Sequence, residues 1–407
     1  MYLTDTIANY VESLFDEESG GYRSVEDLPV TAYGTCYALL TLHYVGITPP
    51  KLDQSLNYLT QLQNARTGWF EGPELAHHTN RRHDRNHLLC HLSCTVLPVL
   101  EQFKASPKHR LFEAEKLLDQ DFLGRQLEAA NLKDAWFEGN NLLFMAQLLL
   151  HLNNLSPDCR VSALLEQWKH WHDQRIDPKT GLWGTDRGCS VPHAIFGAYH
   201  QFIIYNALGY PLSFKRELVD NVLSIQHADG GFAATAGGGA CEDVDSVDIL
   251  VNIYKRINYR RQDIQESLRR CRRLISSCQN ADGGFAYKRN QPSIHMGISA
   301  TRTGAGQSSM FPTWFRTHTL ALIDEVLGCK EPPPRKYSDS ISMGWHKTWL
   351  SEIGHPPVQA ELPPRVSLKY KIELLRSRVR FGCEIAKGWT RTPLRILRKQ
   401  VRRLWGA

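Results

Sequence analysis

At 407 residues, with 42% hydrophobic and 22% charged side chains, the chain has the make-up of a well-packed globular protein of one large domain or two ordinary ones. No apolar stretch approaches the ~20 residues of a membrane-spanning helix, and the opening MYLTDTIANYVESLF lacks the basic start and apolar core of a signal peptide. The net charge of +6 conceals a division: residues 365–407 hold thirteen Lys or Arg against two Glu, which is +11, and the other 364 residues hold 35 basic and 40 acidic groups, which is −5.

Taken in chain order, the predicted elements repeat. A first helix runs into the turn Asp16-x-x-x-Gly20-x-Tyr22, and TAYGTCYALLTLHYVG (31–46) follows as a helix apolar on most sides. KLDQSLNYLTQLQ (51–63) is one-sided, with leucines at 52, 56, 59 and 62. It leads to a second turn, Gln63 to Trp69, carrying one extra residue, and to the apolar HLLCHLSCTVLPVLEQF (87–103). The third copy is the weakest, DAWFEG around Trp136 before NNLLFMAQLLLHL (140–152). Asp177-x-x-x-Gly181-x-Trp183 precedes PHAIFGAYHQFIIYNALG (192–209), Gln226-x-x-x-Gly230-x-Phe232 precedes DVDSVDILVNIYKRI (243–257), and Gln279-x-x-x-Gly283-x-Phe285 precedes FPTWFRTHTLALIDEVLG (311–328).

Six units of about fifty residues emerge. Helices apolar all round are buried, and one-sided helices form an outer wall. Six of each, alternating, predict an all-α protein: a single (α/α)6 toroid of six helix pairs over 1–330. Residues 331–364 are proline-rich and read as a linker. Residues 365–407 mix Arg and Lys with Leu, Ile, Val and Trp, and predict a basic helical extension. That tail either docks on the acidic body or lies on an anionic membrane with Leu394, Leu397, Leu404 and Trp405 facing lipid; it has no nucleic-acid-binding motif. The ten cysteines lack paired spacing, as expected of reduced thiols in the cytoplasm.

The repeat order puts every turn-to-inner-helix loop at one end of the barrel. The mouth is then built from 23–30, 71–86, 137–140, 184–191, 233–242 and 286–310, the last long enough to serve as a lid. Four carboxylates stand at this mouth: Glu242, Asp243, Asp245 and Asp248. Asp243 alone would suffice to cap the fifth inner helix, with its neighbours complementing the helix dipole. Four within seven residues exceed that need, and crowding of like charges raises the pKa of at least one, equipping it as a general acid. The stripe His83, His87 and His91 offers a metal site, contact with an anionic substrate or simply a solvated loop, and His77, His78, Arg81 and Arg82 are placed to grip an anion. Arg187, His193 and Tyr199 in the fourth unit, and Trp314 and Phe315 in the sixth, are further candidates for contact with substrate. Tyr33, Tyr37, Phe144 and Phe196 offer ring faces, or ordinary core packing.

The form Q-x-x-x-G-x-[W/F] resembles the QW repeat of squalene–hopene and oxidosqualene cyclases and the related repeats of protein prenyltransferase β subunits, over roughly residues 1–330. The resemblance implies a class II terpenoid cyclase of one toroid, an isomerase or lyase that protonates an isoprenoid lipid. Asp243-Val-Asp245-Ser246 is similar to the DxDD motif of that family and implies Asp245 as proton donor, with Ser246 where the fourth residue is Asp. The prenyltransferase branch implies a zinc site instead, for which Cys241, Asp243 and His318 are the nearest counterparts, in reversed order. A carbohydrate-active toroid enzyme, hydrolase, lyase or epimerase, is the alternative. It would pair Asp245 with Glu138 or Asp186 and use Trp69, Trp136 and Trp183. A deep apolar cavity would favour the isoprenoid, and an open cleft lined with polar groups and tryptophans the glycan.

Overall fold

The computed structural model describes residues 3–78 and 83–328. The proposed linker and basic tail, and Arg81 and Arg82, lie outside the described residues. Thirteen helices are formed among them. Six are one-sided: α1 (Leu3–Ser13), α3 (Leu52–Gln61), α6 (Gln120–Ala129), α8 (Arg160–Asp173), α10 (Lys215–Ile225) and α12 (Arg261–Ser277). Six are buried along most of their length: α2 (Ala32–Tyr44), α4 (Arg85–Gln102), α7 (Ala135–Leu155), α9 (Val191–Ala207), α11 (Ala240–Arg256) and α13 (Met310–Leu327). One turn, α5 (Phe112–Glu115), sits between α4 and α6.

The inner helices form a ring. Each packs on the next, α2 on α4, α4 on α7, α7 on α9, α9 on α11 and α11 on α13, and α13 returns to α2. The predicted toroid is therefore closed. α7 and α9 approach most intimately, because Gly139 and Gly197 leave no side chain between them; a Cβ on Gly197 would collide with the carbonyl of Ala135. Gln201 on α9 donates into this contact, to the Gly139 carbonyl at 2.9 Å.

The repeated turns are staples. Gln226 Nε2 donates to the carbonyls of Gly230 and of Ser267 on α12, both at 2.9 Å. Gln63 does the same with Gly68 and His109, and Gln279 with Gly283. One buried amide thus ties its own turn to the next segment and satisfies carbonyls that helix geometry leaves over. The aromatic residue after the turn presents its backbone N–H to an inner helix. Tyr22 donates to Thr35, Phe70 to Ser93, Phe232 to Asp243 and Phe285 to Thr313. In the second unit the structural aromatic is therefore Phe70 and not Trp69; the extra residue shifts the frame by one.

The third unit departs further. Trp136 lies inside α7, which begins at Ala135, so there is no turn at DAWFEG and 137–140 is helix and not a mouth loop. The fifth inner helix also starts early, at Ala240, which draws the whole acidic cluster into its first three turns. Three two-stranded ladders complete the fold: β1 (Tyr22–Arg23) with β2 (Val30–Thr31), β3 (Ile176–Asp177) with β4 (Leu182–Trp183), and β5 (Phe285–Ala286) with β6 (Ser308–Ser309). The first and third clasp the bases of mouth loops, pairing Tyr22 with Thr31 and Phe285 with Ser309. Among the described residues no helix is long and apolar enough to cross a membrane.

Candidate active site

The four carboxylates separate into different jobs once folded. Asp243, fully buried, accepts the N–H of Phe232 at 2.9 Å with one oxygen and that of Gly239, the residue preceding α11, at 3.1 Å with the other. The second oxygen also faces Arg316 Nη1 on α13 at 3.3 Å. Burial pushes its pKa up and Arg316 draws it back. Asp243 stands where the first, second and sixth units have Thr35, Ser93 and Thr313, so it is the fifth unit's version of the repeat staple. The expected cap is replaced by another arrangement: Gly239 is the N-cap, and Asp243, inside the first turn, accepts its N–H while also holding the preceding turn.

Asp245 is the opposite case. It is 1% exposed, and neither carboxylate oxygen has a hydrogen-bond partner among the described residues. Burial first, then the charges of Glu242, Asp248 and Asp243, hold its pKa well above the ordinary carboxyl range. No hydrogen bond among the described residues stabilises its ionised form, so the protonated form is favoured. Asp248, one turn further in, accepts from Asn252 at 2.9 Å. Glu242, at the mouth end, accepts the Tyr287 hydroxyl at 2.6 Å.

Tyr287 opens a chain of rings. It stacks on Phe311 (6.0 Å between centroids, 15° between planes), and Phe311 stacks on His295 (4.0 Å, 27°). His295 meets Tyr33 and Tyr37 edge-on, and Phe315 closes the group against Tyr37 and Phe311. Tyr33 OH pairs with His91 Nδ1 at 2.9 Å. His91 continues the column His83, His87, His91 predicted on α4, with rings 5.0 and 6.2 Å apart. His87 stacks on Phe137 at 4.4 Å and pairs with Asn141 Oδ1 at 2.8 Å, and Asn141 reaches Glu138 at 3.5 Å. Burial above all, aided by His295, His87, His83 and His200, keeps His91 neutral. Burial likewise raises the pKa of Glu138. One polar and aromatic wall thus reaches from Glu242 to Glu138.

Other predicted residues lie apart from it. Arg187, in the one-turn helix Thr185–Arg187, is half-exposed 4.0 Å from Asp186. His193 packs against Trp136, and Tyr199 against His200. Trp314 stacks on His318, and His318 Nδ1 meets Tyr44 OH at 3.2 Å, within the packing between α13 and α2. That position, with Asp243 already bound to Arg316 and two backbone N–H groups, leaves Cys241, Asp243 and His318 poorly suited as zinc ligands. Among the described residues no group of three or more His, Cys, Asp or Glu is arranged as a metal site. His78 Cα pairs with Ile298 in an isolated bridge, joining the second mouth loop to the long sixth one.

Three residues escaped the sequence. Tyr287 and His295 lie in the 286–310 loop, recognisable only as long. Glu74 is buried, accepts the Tyr33 N–H at 3.2 Å and has its pKa pushed up to about 7 by burial. The sole signal for it is an acidic residue next to Pro73 in a mouth loop.

The family model "Prenyltransferase alpha-alpha toroid domain" matches residues 3–116 and 122–306. No curated protein matches the chain. Solved structures that match include a polysaccharide lyase (15% identity, TM-score 0.48, 81% of this chain and 98% of that one) and a family 88 glycosyl hydrolase from Bacteroides vulgatus (12%, 0.48, 80% and 98%). An alpha-1,6-mannanase from Salegentibacter sp. HEL1_6 also matches (9%, 0.46, 81% and 99%). Each of these three is a carbohydrate-active enzyme. The terpenoid-cyclase activity, isomerase class and isoprenoid lipid substrate expected from the QW resemblance are corrected on the chemistry of the site. The physical reason lies in the site. Asp243, the motif's first carboxylate, is consumed by Arg316 and the turn, Ser246 supplies no third one, and the wall that begins at Glu242 alternates imidazoles and hydroxyls with rings where a hydrocarbon would need rings alone.

Proposed function

The chain belongs to the prenyltransferase alpha-alpha toroid family, and on that scaffold we propose an enzyme that cleaves a glycosidic bond by general-acid catalysis, with Asp245 as proton donor. The observation that carries this is the Asp245 carboxyl, buried and without a hydrogen-bond partner among the described residues, beside a second carboxylate held in place by a tyrosine. Asp245 gives its proton to the glycosidic oxygen as the bond to the sugar carbon breaks. Glu242, oriented by Tyr287 and three residues away on the same helix, takes the proton of the incoming water. After one turnover a proton passes back to Asp245, because its surroundings disfavour the charge.

The wall supports the substrate class. A sugar presents hydroxyl edges and apolar faces, and the pairing of Tyr33 with His91 and of His87 with Asn141, interleaved with Phe311, Phe144 and Phe137, offers both kinds of contact. The test is incubation with a panel of polysaccharides, followed by mass spectrometry of the products. Asp245→Asn should lower turnover by about a thousandfold or more while leaving the protein folded, since it removes the only proton donor in the scheme. Undiminished cleavage by that variant would sink the assignment.

A further inference from the structure

The loop between β5 and β6 is closed on itself. Ser293 and Thr303 exchange both backbone hydrogen bonds, at 3.2 and 2.9 Å, and Thr301 Oγ1 accepts the His295 N–H at 2.9 Å. Its tip turns through Met296 at φ +51° and Gly297 at φ +77°, and Ile298 bridges to His78. This construction delivers one ring, His295, against the wall described above. The imidazole lies flat on Phe311 at 4.0 Å, with Tyr33, Tyr37 and His91 around its edge at 5.5 to 6.3 Å. Its Nε2 is buried and has no hydrogen-bond partner among the described residues. Burial, then the charge of His83, draws its pKa down to about 3.

A polar ring with an unmet hydrogen bond is an odd choice for a stable plug. A packed core would place an apolar side chain there, because a buried nitrogen left without a partner costs the free energy of its desolvation. A flat ring against an aromatic face, with a hydroxyl and an imidazole at its rim, is also how a protein holds a sugar ring. The rings continue to Tyr287, whose hydroxyl holds Glu242, so a sugar on Phe311 would sit next to the proposed catalytic carboxylates.

We propose that Phe311, with Tyr33 and His91 at its rim, is a sugar-binding subsite, and that His295 on the 288–307 loop occupies it until a pyranose ring displaces it. The inference rests on the glycan-cleaving function above. Substrate binding then requires the loop to swing away, and the apparent affinity is reduced by the fraction of time it stays closed.

The test is histidine NMR on the full chain, with cellotetraose, mannotetraose and a galacturonate tetramer as probes, alongside calorimetry. Displacement should move His295 into solvent and return its titration from about 3 to the ordinary range near 6.5. His295→Ala should tighten binding by about tenfold or more, as expected when the competent state is a minor one. Phe311→Ala should abolish that gain. An oligosaccharide that binds while the His295 titration stays near 3 and His295→Ala binds no better overturns the subsite and leaves the glycan-cleaving function standing. If no probe binds either wild type or His295→Ala, both fall.

Discussion

Asp243 and Arg316 meet at 3.3 Å with neither side chain exposed, joining the fifth inner helix to the sixth. Arg316 also donates to the carbonyls of Ala286 (3.0 Å) and Tyr287 (2.6 Å), so the pair anchors the root of the lid loop as well as two turns of the repeat. The corresponding staples in the first, second and sixth units are hydroxyls. A carboxylate here demands a cation, and Arg316 lies three residues beyond Thr313, the staple of the next unit.

Removing either partner should leave a buried charge unmatched. Arg316→Met is expected to cost about 3–5 kcal/mol in chemical denaturation, and Asp243→Asn somewhat less because its amide oxygen still accepts one of the two backbone N–H groups. Asp243→Thr combined with Arg316→Met restores the hydroxyl staple of those units and should recover much of the loss. Additive losses in the double variant would show that the two side chains do not act as a pair.

Asp245 should trade stability against function. Its folded pKa lies above that of the unfolded chain, so its contribution is fully present below the unfolded value and is lost as pH rises through the folded one. Asp245→Asn should therefore melt at a higher temperature than wild type at pH 8, with the two curves converging towards pH 4. A variant less stable than wild type at pH 8 would mean the carboxyl is satisfied in a way its surroundings do not reveal.

Glu74 gives a second, separable dependence. Its pKa rises from 4.5 to about 7 on folding, so the stability it contributes at low pH is lost as pH climbs from 4.5 through about 7. The difference corresponds to about 3 kcal/mol. Glu74→Gln keeps an acceptor for the Tyr33 N–H and should flatten the unfolding free energy over that window. An unchanged slope in urea titrations between pH 4.5 and 7.5 would remove Glu74 as the cause.

Two glycines in one stretch separate backbone strain from crowding. Gly230 and Gly237 have φ of +100° and +102°, but a Cβ on Gly230 would lie 2.5 Å from the Arg270 carbonyl carbon, whereas Gly237 has nothing within 4 Å. Gly237→Ala should cost about 1–2 kcal/mol from its left-handed backbone alone. Gly230→Ala adds a collision with backbone, and more than about 3 kcal/mol is expected by thermal denaturation. Equal losses would refute the role of α12 in setting that turn.

The toroid was legible in the sequence because its cause is local. A helix buried all round must be apolar all round, and a tight turn needs glycine at a fixed place, so α2, α4, α9, α11 and α13 can be found by pattern alone. The third unit failed the same test for a physical reason: α7 begins at Ala135 and has no turn before it, so Trp136 entered the pattern by accident. Phe70 was missed for Trp69 because one inserted residue changes which side chain lies beneath a turn while leaving composition unchanged.

The acidic cluster was equally visible, but the roles within it were not. Adjacent carboxylates are alike in sequence, and what separates Asp243 from Asp245 is Arg316, seventy-three residues downstream, together with the backbone N–H groups of Phe232 and Gly239. Asp245 has no such partner among the described residues, and burial favours its protonated form. The sequence by itself determined the ring of helices and the end of it at which the carboxylates gather, since both follow from periodicity and order. Only the tertiary structure decided which carboxylate is neutral, and that Tyr287, His295 and Glu74 belong beside it, because burial and charge are properties of neighbours that the chain brings together by folding.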